Sequence, residues 1–214
     1  MLSEKIHIPT EEDCRRIVSD LGMLDHITAH CQQVCRVSLL LTDHLGLPAL
    51  NRELIRAAAL LHDITKTRSF QTLEDHAETG ERLLADLGYP EVGRIIGQHV
   101  RLDRDPPFCT APTEEEIVNY ADKRVLHDRI VPLAERMGYI LEKYGGSRER
   151  KRRIRLLWKK SEALEKRLFS RLPFAPDGLT GMLCGGPAPA SRDRRRPPQG
   201  LQPPGRLSAA EECG

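Results

Sequence analysis

The residues best suited to chemistry are a scattered set of histidines and acids. His62-Asp63 closes the apolar run Ala57-Ala58-Ala59-Leu60-Leu61. An imidazole and a carboxylate at the end of a buried helix cost desolvation unless they are paired or coordinated. Adjacent helical positions diverge by about 100°, so one cation can sit between them only at the helix end, where the backbone adjusts. The carboxylate has two oxygens and can bridge two cations, whereas an imidazole nitrogen binds one. His30 lies upstream; His76, His99 and Asp122 follow downstream. Arg101, just after His99, is a candidate phosphate ligand. His127-Asp128, a second such dipeptide, sits between Lys123-Arg124 and Arg129 and reads as a solvated helix face. His7, His26 and His44 fall outside the pattern. Cys31 and Cys35 are one helical turn apart and read as small packing residues. No GxxxxGK[ST], GxGxxG or GxSxG is present, which leaves nucleotide-binding loops and serine hydrolase chemistry without support.

The order His30, His62-Asp63, His76, His99, Asp122 resembles the HD superfamily of metal-dependent phosphohydrolases, in its six-ligand dinuclear form. Leu60-Leu61-His62-Asp63-Ile64-Thr65-Lys66 is similar to the LLHDIGK signature, with Thr65 in place of the glycine. His76-Ala77-Glu78-Thr79-Gly80 resembles HxxxG, and Tyr120-Ala121-Asp122-Lys123 resembles YADK. The resemblance implies an all-α HD-domain bundle. It implies one divalent ion on His30, His62, Asp63 and Asp122, and a second shared through Asp63 with His76 and His99. Iron or manganese is expected, with Mg, Co, Ni and Zn as alternatives. It implies two-metal hydrolysis of a small phosphate substrate, a nucleotide or related ester, with Asp63 at the catalytic centre and Lys66 facing the phosphate as a point charge. Symmetrical diadenosine tetraphosphatases share the six-ligand order but usually have Thr where Val100 stands. The HD-GYP type carries a tripeptide absent after His99. A regulatory metal- or nucleotide-sensing domain is the rival from another class.

These residues must be positioned by helices. Thr10-x-x-Asp13 starts one, stopped at Gly22. A second spans about Asp25 to His44, with Val34, Val37 and Leu41 at helical spacing and Gly46 as its stop. Asn51 caps a third, expected to run to about Thr65. A fourth covers Asp75 to Leu87, and Pro90 opens a fifth. After the proline-rich loop from Asp105 to Pro112, Thr113-x-x-Glu116 starts a helix carrying Asp122. Pro132 is expected to kink or restart it, and Gly145-Gly146 to end it. No segment has a strand-like period of two, so the fold class is all-α.

Charge divides the chain. Residues 1–146, the expected phosphohydrolase domain, hold 17 basic and 24 acidic side chains, net −7. Residues 147–172 hold 11 and 3, net +8, and form a basic amphipathic helix with Ile154, Leu157, Trp158, Leu164 and Leu168 along one side. Its stripe and its opposite charge favour docking on the body or self-association, as in a homodimer, over nucleic-acid contact. Residues 173–214 hold 8 of the 15 prolines and 7 of the 16 glycines and are expected to be disordered. No apolar run approaches a membrane span of roughly 18 residues. Met1 to Thr10 lacks signal-peptide order, and six cysteines form no CxxC pair. A cytoplasmic, reducing compartment is therefore expected.

Overall fold

The computed structural model describes residues 6–104 and 110–183. Thr10 and Asp13 close a reciprocal capping box that starts α1 (Glu11–Asp20). The long α2 (Asp25–Leu45) buries Ile27, His30, Val34, Val37 and Leu41 along one stripe, and ends on Gly46 at φ +58°. Glycine takes that left-handed conformation without the Cβ clash other residues meet. Asn51 caps α3 (Arg52–Leu61), whose Leu54, Ala57, Ala58 and Leu61 are buried against α2.

Here the structure departs from expectation. The third helix does not reach Thr65. It stops at Leu61, and two tight turns follow, closed by Ile64 N to Leu61 O (3.0 Å) and Lys66 N to Asp63 O (2.9 Å). A short α4 (Lys66–Thr72) then begins, with Thr65 at its N-cap. His62 and Asp63 thus occupy a break between helices, where neighbouring side chains can converge.

Asp75 caps α5 (His76–Asp86), and Pro90 opens α6 (Pro90–Gly97). The two helices pack closely: a Cβ on Gly93 would lie 2.6 Å from the Glu81 carbonyl oxygen. Any larger residue there would force α5 and α6 apart. Residues 105–109 of the expected proline-rich loop lie outside the described residues. The Thr113–Glu116 capping box starts α7 (Glu114–Asp122), which is buried from Glu115 to Asp122 and runs through the centre of the molecule.

The expected helical continuation to Pro132 is instead a small antiparallel hairpin, β1 (Val125–Leu126) with β2 (Arg129–Ile130). His127-Asp128 forms its two-residue turn, with His127 at φ +57°. A two-residue strand is too short for a period of two to be visible. Pro132 then precedes α8 (Leu133–Tyr144), and Ser147 caps α9 (Arg148–Phe169).

Residues 173–183, expected to be disordered, are ordered. A 3-10 turn (Pro176–Gly178) leads into α10 (Leu179–Leu183). Phe174 and Leu179 are buried, Phe174 meets Phe169 and His44 edge-on (5.7 and 5.2 Å), and Arg124 donates to the Pro176 carbonyl at 3.0 Å. Proline and glycine averaged over 42 residues mask the local apolar set of Phe174, Leu179, Met182 and Leu183, which suffices to dock. The rest of that expectation, 184–214, lies outside the described residues.

Cys31 and Cys35 are buried free thiols, as expected of packing residues, and Cys14 is a third. Burial pushes the Cys35 thiol up from 9.0 to about 11. A folded pKa above the unfolded one means stability is intact below pH 9 and declines as pH rises from 9 toward 11. Denaturant midpoints measured across that window are expected to fall. Modification of Cys14, Cys31 and Cys35 by a thiol reagent at pH 8 as fast in the native protein as in the unfolded chain would refute this packing role.

Candidate metal centre

Five segments converge on one buried point. His30 projects from the middle of α2. His62 and Asp63 come from the break after α3, His76 from the first residue of α5, and His99 from just past α6. Asp122 is the last residue of α7. His30, His62, Asp63, His99 and Asp122 are buried, and His76 is half-buried.

Three imidazoles are oriented by backbone carbonyls. His30 Nδ1 donates to His127 O (2.7 Å), His62 Nδ1 to Ala59 O (2.9 Å) and His99 Nδ1 to Ile96 O (2.6 Å). A carbonyl can only accept, so each Nδ1 carries the proton and each Nε2 keeps its lone pair. Those Nε2 atoms point at the carboxylates. His30 and His62 lie 3.1 and 3.7 Å from Asp122 Oδ1, and His62 is 3.6 Å from Asp63 Oδ2. On the other side, His76 and His99 lie 3.2 and 3.4 Å from Asp63 Oδ1 and 3.1 Å from each other. Asp63 therefore turns one oxygen to each of two histidine groups.

The residues fit a cation. Among the described residues, His62 Nε2 and Asp63 Oδ1 are buried polar atoms without a hydrogen-bond partner. Such orphans are costly unless something else satisfies them. Their separations from neighbouring ligand atoms match ligands held about 2.0–2.2 Å from a shared cation. Two groups, His30-His62-Asp63 and Asp63-His76-His99, each have ligand atoms within 4.8 Å of one another.

Protonation favours the same role. Burial lowers the His62 pKa from 6.5 to about 3, so its ring is neutral near neutral pH. Burial opposes the charge on Asp63, but the His62, His76 and His99 rings around it and the Lys66 ammonium hold it well below the usual carboxylate range. Asp122 is held low in the same way, against burial, by His30, Lys123 and Arg136. A neutral imidazole beside ionised carboxylates is the state that metal ligation requires.

A family model for the HD domain matches residues 27–140, which include all six of these side chains. This chain belongs to the HD domain family. A curated relative is 29% identical over 143 residues: a tRNA (cytidine(56)-2'-O)-methyltransferase of Picrophilus torridus. That match covers 61% of this chain, which spans only 40% of the relative's length. Among solved structures, a protein described as a predicted HD superfamily hydrolase from an uncultured Thermotogales bacterium aligns with 77% of this chain and 94% of its own. The identity is 20% and the TM-score 0.44. Among the described residues, no helix of this HD domain is long and apolar enough to cross a membrane.

The HD domain brings Lys66 to its centre. The ammonium donates to Asp63 Oδ2 at 2.7 Å. Burial would lower its pKa, but Asp63 and Asp122 outweigh burial and raise it, so Lys66 stays charged. Arg101 is not brought there. It is exposed and lines a second cavity against α9. The chain turns after His99, so Val100 faces the metal cleft while Arg101 faces away. Thr65, the departure from the signature glycine, has φ −99° and needs no glycine. Its hydroxyl donates to the His76 carbonyl at 2.8 Å and so ties the turn to α5.

Several contributors escaped the sequence reading. His127 is exposed on the hairpin turn, yet its carbonyl orients His30; a backbone role leaves no side-chain signal. Asn119 donates to the carbonyls of Gln98 (2.8 Å) and His99 (3.0 Å), and buried Lys123 also donates to His99 O (2.7 Å). Asn119, Asp122 and Lys123 share the i, i+3, i+4 spacing of one helix face, a signal that was available. Arg136 lies 3.8 Å from Asp122 Oδ1 and, like His26, lines the cleft; nothing in the local pattern of α8 distinguishes it.

Proposed function

We propose that this HD domain is a metal-dependent phosphohydrolase that cleaves a phosphate ester of a nucleotide or related small molecule at a dinuclear centre. The observation that carries the reading is Asp63, whose two oxygens face two histidine groups at the floor of a cleft of about 620 Å³. His30, His62, Asp63 and Asp122 would hold one divalent ion; Asp63, His76 and His99 would hold the other. When bound, such a pair lowers the pKa of water and offsets charge on phosphoryl oxygens. The chain itself does the rest. Lys66, Arg136 and Lys143 line the cleft and give it cationic walls for a phosphate. Asn119 and Lys123 lock the His99 backbone, and the three carbonyl-bound imidazoles cannot flip without losing a buried hydrogen bond.

Four imidazoles and two carboxylates suit iron or manganese. Magnesium, which prefers oxygen ligands and retained waters, fits this donor set poorly. Protein purified without chelator is expected to carry two ions per chain and to hydrolyse one class within a panel of nucleotides, phosphomonoesters and phosphodiesters. A metal-loaded protein inactive across that panel would sink the hydrolase reading and favour a sensing role.

A further inference from the structure

The basic helix α9 is two different helices in one. Its second half docks as the sequence led one to expect. Ser161, Leu164, Arg167 and Leu168 are buried, Arg167 pairs with buried Glu116, and Glu165 accepts from Tyr120 (2.6 Å) and Arg124 (3.3 Å). Its first half does not follow that pattern. Eight of the thirteen residues from Arg148 to Lys160 are Lys or Arg, and all eight are exposed. The one acidic residue in this stretch, Glu149, pairs with Arg152 and Arg153 on the same helix rather than with the body. The opposite charges of helix and body therefore account for only part of the +8.

This exposed array adjoins the metal cleft. Ile154 and Leu157 of α9 line the cleft. Leu157 also lines the second cavity, of about 330 Å³, whose cationic wall includes Arg101, Arg104 and Lys159. Val100 and Arg101, adjacent in the chain, face the two cavities in turn. The cleft presents aromatic rings to solvent as well: Phe70 is 58% exposed and Tyr144 is 51% exposed, and both line it.

We propose that the partner of this surface is a single-stranded nucleic acid, whose backbone runs along the first half of α9 and the second cavity and whose terminal nucleotide enters the metal cleft. Thirteen helical residues span about 20 Å, long enough for several successive phosphates. A mononucleotide would use only a fraction of those cations. Exposed aromatic rings beside a basic track are the combination that binds unpaired bases, since each ring stacks on any base face. A base pair hides its faces in the stack, which argues against duplex. A membrane surface fits less well, because Leu157 and Trp158 of α9 are half-buried and no broad apolar face is left for lipid. The acidic remainder, net −7 over residues 1–146, would steer a polyanion toward this side. The proposal rests on the phosphohydrolase reading for the position of the strand's end, though not for its binding.

The test is fluorescence anisotropy of the full chain with labelled, phosphorothioate-linked single strands of RNA and DNA about a dozen nucleotides long. Three or four neutralised phosphates predict that affinity falls about 20- to 50-fold between 50 and 200 mM salt. The triple variant Arg150→Glu, Arg155→Glu, Lys159→Glu is expected to weaken binding at least 10-fold. An equal charge change away from both cavities, Arg15→Glu, Arg16→Glu and Arg82→Glu, should cost less than 2-fold. Tyr144→Ala should cost several-fold. The proposal is overturned by salt-insensitive or absent binding, by equal losses in both charge variants, or by tighter capture of duplex or of anionic phospholipid vesicles. Hydrolysis of mononucleotide esters by the unmodified chain is assayed in parallel. Oligonucleotide binding without any hydrolysis would overturn the phosphohydrolase reading alone; hydrolysis without oligonucleotide binding would overturn this one alone.

Discussion

Asp63→Asn is expected to lower hydrolysis by about 10³-fold or more and to empty both metal positions. The carboxylate is the one side chain shared by the two ligand groups, through Oδ2 toward His62 and Oδ1 toward His76 and His99. An amide keeps the shape but removes the charge and one of the two ligating oxygens. Losing several kcal/mol of charge stabilisation corresponds to about three powers of ten at 1.36 kcal/mol per tenfold change. Metal analysis and turnover check this together. His76→Ala provides the contrast: it belongs to one group only, so it should reduce the metal content from two ions to one. Wild-type activity in Asp63→Asn, or loss of both ions in neither variant, would refute the dinuclear centre. The Asn variant also leaves Lys66 without the partner it now meets at 2.7 Å, so circular dichroism should accompany the assay to show that the fold survives.

The second large effect concerns stability. Arg167 and Glu116 form an ion pair with side chains only 5% and 4% exposed, and Arg167 also donates to Thr110 Oγ1 at 2.9 Å. This pair fastens α9 to the central helix α7. Arg167→Leu would leave the Glu116 carboxylate buried without its counter-ion, a change that costs about 3–5 kcal/mol. At about 2–4 °C per kcal/mol for a chain of this size, Tm should fall by about 6–20 °C. Adding Glu116→Gln should restore most of the loss. Glutamine is neutral and can still accept from the Thr113 backbone N–H, as Glu116 Oε2 does at 3.0 Å. A single variant with unchanged Tm, or a double variant no better than the single, would show that the pair does not hold α9 in place.

These two experiments separate what was legible in the chain from what was not. The helix starts were legible because caps are local chemistry. Thr10, Asn51 and Ser147 each bind the backbone N–H three residues on, Glu116 reaches back to the Thr113 N–H, and no tertiary contact is needed to see them. The six candidate ligands, which the fold brings together, were legible because imidazoles and carboxylates in a fixed order beside apolar helices have few other uses. The hairpin at Val125–Ile130 was not, since two-residue strands carry no periodic signal. Ordering of Phe174 to Leu183 was lost in an average taken over too long a window.

The sequence by itself determined the all-α class, the helix boundaries set by caps and glycines, and which histidines and aspartates are the candidate ligands. Those follow from local hydrogen bonding, apolar spacing and the chemistry of histidine and aspartate. Tertiary structure alone decided direction. It sent Lys66 to Asp63 and Arg101 into the neighbouring cavity, although both follow a ligand by two or three residues. It also made the His127 carbonyl and the Asn119 amide part of the centre. Where a side chain points after a turn depends on backbone angles fixed by distant packing, and no pattern along the chain encodes them.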